Sequence, residues 1–142
     1  RDWSSDVCSS DLSGDQRPVV LGQVFDSLLQ LERERAVPFV AQFMKSHDEE
    51  TRDEAALSLG GSRLPEAVKE LIAAWDVSKH GEFGSTLLRA LSSSREETAV
   101  DFLLHLVATG SSRESIAAEE ALALHKDSSE IQARIGQARK QR

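Results

Sequence analysis

The feature that most constrains this chain is a helix, a tight turn and a second helix compressed into residues 48–75, DEETRDEAALSLGGSRLPEAVKELIAAW, whose pattern recurs along the sequence. Asp48 is a residue type that caps helices, and Glu49 and Glu50 place negative charge on the amino-terminal turn. Ala55, Ala56 and Leu59 then form an apolar stripe at helical spacing. Gly60 and Gly61 are expected to stop this helix, because glycine accepts the left-handed conformation that closes one, and Pro65 is suited to open the next. In the second helix Ala67, Val68, Leu71, Ile72 and Trp75 share a face, while Glu66, Lys69, Glu70 and Asp76 are polar. A single hairpin of this kind has little to bury its stripe against, so its neighbours must supply the surface.

Those neighbours can be read off by translation. A shift of about 32 residues lays Leu59 on Leu91, Val68 on Val100 and Leu71 on Leu103. About 31 more lays Leu91 on Leu122, Val100 on Ile131 and Leu104 on Ile135; about 31 backwards brings Leu59 to Leu28, Val68 to Val37 and Trp75 to Met44. The expected units are residues 19–46, 48–77, 82–109 and 112–141 of an array spanning 19–142.

Asp48, Thr51, Arg52, Ala55, Ala56, Leu59, Gly60, Pro65, Glu66, Ala67, Val68 and Leu71 fall at the places of a known consensus. The unit resembles a HEAT repeat of the short bacterial type, also called phycobilin-lyase-like. The third unit keeps Ala99, Val100 and its leucines but has Ser92, Ser93 and Ser94 where the glycine turn is expected; the first and fourth match in apolar spacing alone. The resemblance implies an all-α fold, a right-handed α-α superhelix of about four HEAT-like hairpins. It says little of function, since family members do unrelated jobs. A phycobilin-lyase-type enzyme or chaperone is one implied alternative, requiring a pigment-sized cavity and a partner subunit. A repeat-built DNA-repair glycosylase is another.

Residues 1–12, RDWSSDVCSSDL, lack the amphipathic period, and residues 6–12 look like a translated sequencing adapter. They are taken as a non-native leader, followed by a polar lead-in over 13–18. Excluding the leader removes Trp3 and the sole cysteine, Cys8, and with it any thiolate or disulfide chemistry. The absence of an initiating Met suggests a frame that starts farther upstream, making this the carboxyl-terminal fragment of a larger protein. The polar, basic stretch 137–142 suits a terminal capping helix at a natural carboxyl terminus. The net charge of −7 becomes −5 without the leader's one Arg and three Asp, which argues against a nonspecific nucleic-acid surface. No apolar run reaches membrane length and no signal peptide is recognisable, so cytoplasmic is the default localisation.

The first helix is expected over 19–32 and the second over 36–45, with Phe39 and Phe43 packing between repeats as Phe102 and Leu106 would. A ligand groove, or cover by an upstream repeat, are the alternatives for those rings. Residues 78–84, SKHGEFG, have two glycines near Lys79 and His80 but not the spacing of a phosphate-binding loop, and read as a connector. The third unit is expected as helices 82–91 and 95–109 with Ser94 as cap, and the fourth as 113–125 and 128–139.

Candidate chemistry is sparse. His47, His80, His105 and His125 are scattered one to a unit; His47 with Asp48, Glu49 and Glu50 is the densest group, and helix capping accounts for it. The serines are assigned to turns and caps, with no nucleophile elbow, and pairs such as Glu96-Glu97 and Glu119-Glu120 diverge around their helices. No catalytic residue, metal site or cofactor is expected. Binding is assigned instead to the concave face, which in this architecture is lined by the second helices. Carried across by the repeat shift, its outward positions are Arg35, Gln42 and Lys45; Glu66, Lys69 and Asp76; Thr98, Asp101 and His105; and Ser129, Gln132 and Arg139. The signs are mixed, without the basic stripe and stacking aromatics of a nucleic-acid groove. The expected function is a noncatalytic protein-interaction scaffold with a protein partner, no nucleic acid and no membrane.

Overall fold

Helices α1 (Arg17–Glu32), α2 (Val37–Ala41), α3 (Glu49–Ser62), α4 (Pro65–Ser78), α5 (Glu82–Ser94), α6 (Glu97–Thr109), α7 (Ser112–Leu122) and α8 (Ser129–Lys140) follow one another in four hairpins. They come from a computed structural model that describes residues 17–78 and 81–141. Short 3-10 turns, Arg33–Arg35, Gln42–Lys45 and Ala123–His125, precede α2, extend it and extend α7. The first helices α1, α3, α5 and α7 stack in one layer and the second helices in another, so each hairpin packs on its sequence neighbours. This is an all-α helical-repeat solenoid. The leader with Trp3 and Cys8, and the connector residues Lys79 and His80, lie outside the described residues.

Local chemistry accounts for most helix starts. The Asp48 carboxylate accepts the Thr51 N–H at 2.9 Å and also the Thr51 hydroxyl, satisfying groups that the first turn of α3 leaves over. At α7 the bonds are reciprocal: Ser111 Oγ accepts the Glu114 N–H at 3.3 Å, and Glu114 Oε2 accepts the Ser111 N–H at 2.6 Å. Ser128 caps α8 by accepting the Ile131 N–H at 3.3 Å. Pro65 is the first residue of α4, where its missing N–H costs nothing. The stripe residues Leu59, Leu71, Leu87, Leu91, Leu103 and Leu122 are all 0% exposed and form one continuous core with their neighbours.

Several turns differ from expectation. The Gly60-Gly61 pair does not end α3, which runs through both glycines to Ser62; the left-handed residue is Arg63, with φ 57°. Arg33 and Arg95 adopt φ 54° and 56° after α1 and α5. A side chain in this conformation costs about 1–2 kcal/mol, so arginine gives little warning of the turn it makes. Gly60 is required for another reason: a Cβ there would stand 2.2 Å from the Ala90 carbonyl oxygen of α5. It marks the close crossing of two first helices.

The serines of the third unit are likewise internal to α5 and not a turn. Ser92 is fully buried and its hydroxyl donates to the Ala121 carbonyl at 2.6 Å, while its own carbonyl accepts from His125 Nε2 at 3.0 Å. Ser94 does not cap α6; its hydroxyl donates to Leu91 O at 2.7 Å, and Glu96 is the residue before the helix. The connector is shorter than 78–84, since Ser78 belongs to α4 and α5 starts at Glu82 behind Gly81. α1 is already helical at Arg17, the first described residue, ahead of the expected Val19, and α8 starts one residue late, at Ser129. The phenylalanines stack within the first hairpin: Phe43 lies 4.9 Å from Phe25 and 5.3 Å from Phe39, whose ring remains 46% exposed. The 3-10 turn that carries Phe43 also packs against α3 of the next hairpin.

Candidate functional site

The second-helix layer presents α2, α4, α6 and α8. All twelve ladder positions are exposed there: Arg35, Gln42 and Lys45 around α2; Glu66, Lys69 and Asp76 on α4; Thr98, Asp101 and His105 on α6; Ser129, Gln132 and Arg139 on α8. Exposure alone does not make them one surface, and the geometry divides them.

Asp101 and His105 come together in a groove of about 390 Å³ between α6 and α8. Leu104, Ala108, Ala133 and Ala138 supply its apolar surface, and Arg134 completes a wall. The short alanine side chains leave space between the two helices unfilled, and that space is the groove. Arg134 Nη1 donates to Glu97 Oε1 at 2.8 Å, and its Nη2 donates to Asp101 Oδ1. Partial burial lowers the Arg134 pKa, but hydrogen bonding and charge from Glu97 and Asp101 outweigh it and hold the guanidinium above its ordinary value. The pair ties α6 to α8 and places both signs of charge on the rim. On the same face the Thr109 hydroxyl donates to His105 O at 2.8 Å and lies 3.2 Å from His105 Nε2.

The remaining ladder residues go elsewhere. Arg139 turns toward the first-helix layer and makes a two-point contact with Glu119 of α7, at 3.0 and 2.6 Å. Lys45 lines a separate cleft of about 600 Å³ where the loop after the first hairpin meets α3, the end of α4 and the start of α5. His47, Glu49, Arg52 and Glu82 give that cleft mixed charge. Arg52 acts there as a fastener: its Nη1 donates to Ser46 O at 3.3 Å and its guanidinium carbon sits 5.5 Å from the centre of the Phe83 ring. One side chain thereby joins three consecutive hairpins.

Arg134 was absent from the sequence ladder. Its spacings of 33 and 37 residues from Asp101 and Glu97 are each about one repeat plus a few residues. A search for opposite charges at one repeat length, with a turn of tolerance, would have found it. The described histidines do not converge. His125 is buried against Ser92, His105 lies on the α6 face and His47 lines the larger cleft. Among the described residues no three His, Cys, Asp or Glu side chains group as metal ligands. No described helix is long and apolar enough to cross a membrane.

Comparison with protein families matches residues 9–83 to a model described as HEAT repeats. Neither the curated proteins nor the solved structures contain a match. The matched stretch is more than half of the 142 residues and contains the hairpin from which the repeat was read, with its Asp48 cap and close Gly60 crossing. The chain belongs to the HEAT-repeat family.

Proposed function

We propose that this chain is a noncatalytic protein-interaction scaffold of the cytoplasm, and that it binds a peptide segment of its partner in the α6–α8 groove. The observation that carries the reading is the composition of that groove: an apolar floor from Leu104 and Ala138 beside a rim carrying Asp101, His105 and Arg134. Apolar anchors with a few oriented polar groups are what a peptide of both characters requires. The hydroxyls of Ser58, Ser92, Ser94 and Ser115 all donate to backbone carbonyls, which supports a structural use of these serines.

Selection from a random displayed-peptide library on the immobilised full chain tests the binding. Peptides enriched on the natural chain should be lost on Asp101→Lys, which sets a cation beside Arg134, while far-UV circular dichroism stays the same. Enrichment that survives Asp101→Lys, or none at all, refutes the groove; lost helicity would count against the outward placement of Asp101.

A further inference from the structure

The repeat register identifies which face of each first helix sits on the preceding hairpin. In α3 that face includes Thr51, Ala55 and Ser58; the Ser58 hydroxyl donates to the Gly22 carbonyl of α1 at 3.3 Å. The same positions in α5 are Phe83, Leu87 and Ala90, and Ala90 is the residue that meets Gly60. In α7 they include Ala118 and Ala121, with His125 one turn on; Ala121 and His125 both bond to Ser92 of α5. All nine of these residues are buried. In α1 the corresponding residues are Val20, Val24 and Ser27, and Leu31 holds the place of His125. There Val20 is 53%, Val24 44% and Leu31 81% exposed. The face that docks three times within the array is thus open, and apolar, on its first helix.

The opposite end is different. The receiving positions Leu29, Gly60 and Ser92 are buried in α1, α3 and α5, and their counterpart Ala123 is exposed. One turn earlier, where the preceding units carry buried Phe25, Ala56 and Leu88, stands Glu119, held by Arg139. A charged pair at that level opposes the packing of another apolar face. A second copy stacked head to tail would have to set Val20 and Val24 against this pair. The two ends are therefore not complementary to each other.

We infer that the exposed α1 face is the docking surface for a further HEAT-like helical hairpin, joined in line ahead of α1, whose receiving face is small and apolar like that of α3. The inference goes beyond the peptide-binding reading and rests on the open apolar face of α1. The occupant's chemistry follows from the internal interfaces: Gly60 of α3 meets Ala90, on an α5 face that reads Phe83, Leu87, Ala90, a large, large, small series that Val20, Val24 and Ser27 repeat with smaller side chains.

The test is a chain in which a copy of residues 48–81 is spliced directly ahead of Val19, compared with the full natural chain, each with and without the pair Val24→Gln and Leu31→Gln. The splice should raise the thermal midpoint by on the order of 5 °C, because it adds a nearest-neighbour interface. The glutamine pair should shift the natural chain by no more than about 2 °C, since both positions face solvent there, and should abolish the gain in the spliced chain. An unchanged or lowered midpoint on splicing overturns the inference, as does a gain that survives the glutamine pair. Sedimentation of the natural chain should show a monomer; a dimer dissolved by the pair would assign the face to a second copy and overturn it. Peptide binding to the spliced chain reads the α6–α8 groove separately, so failure at one end is distinguishable from failure at the other.

Discussion

Two adjacent glycines in one helix should respond to the same substitution with opposite signs. At Gly61 a Cβ would meet nothing within 4 Å, and the residue is exposed within α3. Gly61→Ala should stabilise by about 1 kcal/mol, the difference in helix propensity between the two residues. Gly60→Ala makes the same propensity gain but sets its methyl 2.2 Å from the Ala90 oxygen, 2.7 Å from its carbonyl carbon and 2.8 Å from its Cα. These are backbone atoms of α5 and cannot rotate away, so restoring ordinary contact beyond 3.4 Å would move the helices apart by more than an ångström. Overpacking of this kind costs about 1–3 kcal/mol and here loosens an inter-repeat interface, offsetting the propensity gain and leaving a net loss of up to about 2 kcal/mol. Urea unfolding followed by circular dichroism at fixed pH gives both values. Equal effects of the two substitutions, or a more stable Gly60→Ala, would refute the assignment of Gly60 to the helix crossing.

Leu71→Asp should cost several kcal/mol and abolish cooperative unfolding, since Leu71 is 0% exposed and the carboxylate would gain no partner; an unchanged thermal midpoint would contradict its burial. Arg63→Gly should stabilise by about 1 kcal/mol by relieving a left-handed φ of 57°, read from the same urea curves. Glu54 has a pKa raised by burial first and then by Asp26, Asp53 and Glu50. Its ionised form therefore destabilises the fold above the folded pKa, and the penalty is relieved as pH falls toward the ordinary value of 4.5. Glu54→Gln should raise the unfolding midpoint at about pH 7, with the gain shrinking as pH falls through the raised folded pKa and gone below pH 4.5, and a gain independent of pH would refute the coupling.

Much of this architecture was legible because it is local. The stripe through Leu59, Leu71, Leu103 and Leu122 follows from helical period and repeat length, and Asp48 announces its cap by type and position. What could not be read lies in the crossing of one hairpin on the next. Gly60 looks like a helix stop in isolation; only the nearby Ala90 carbonyl shows why a side chain is excluded. Arg63 looks like a surface charge, yet it carries the turn. Ser92 belongs to a run resembling a loop, but its hydroxyl and carbonyl both bond to the fourth unit. The binding ladder was limited in the same way. Periodicity located exposed positions, whereas the groove depends on the Arg134 clamp and the small Ala108 and Ala138, and Arg139 is drawn to Glu119 instead.

The central claim, that this HEAT array recognises a partner segment between its last two second helices, is tested most directly by mapping where a selected peptide sits. Amide resonances of the full chain would be followed while the most enriched peptide is added. The account predicts shifts concentrated at Asp101, Leu104, His105 and Ala108 on α6 and at Ala133, Arg134 and Ala138 on α8, the residues that line the groove. Shifts confined to the cleft of Lys45, His47 and Arg52, with α6 and α8 silent, would contradict it.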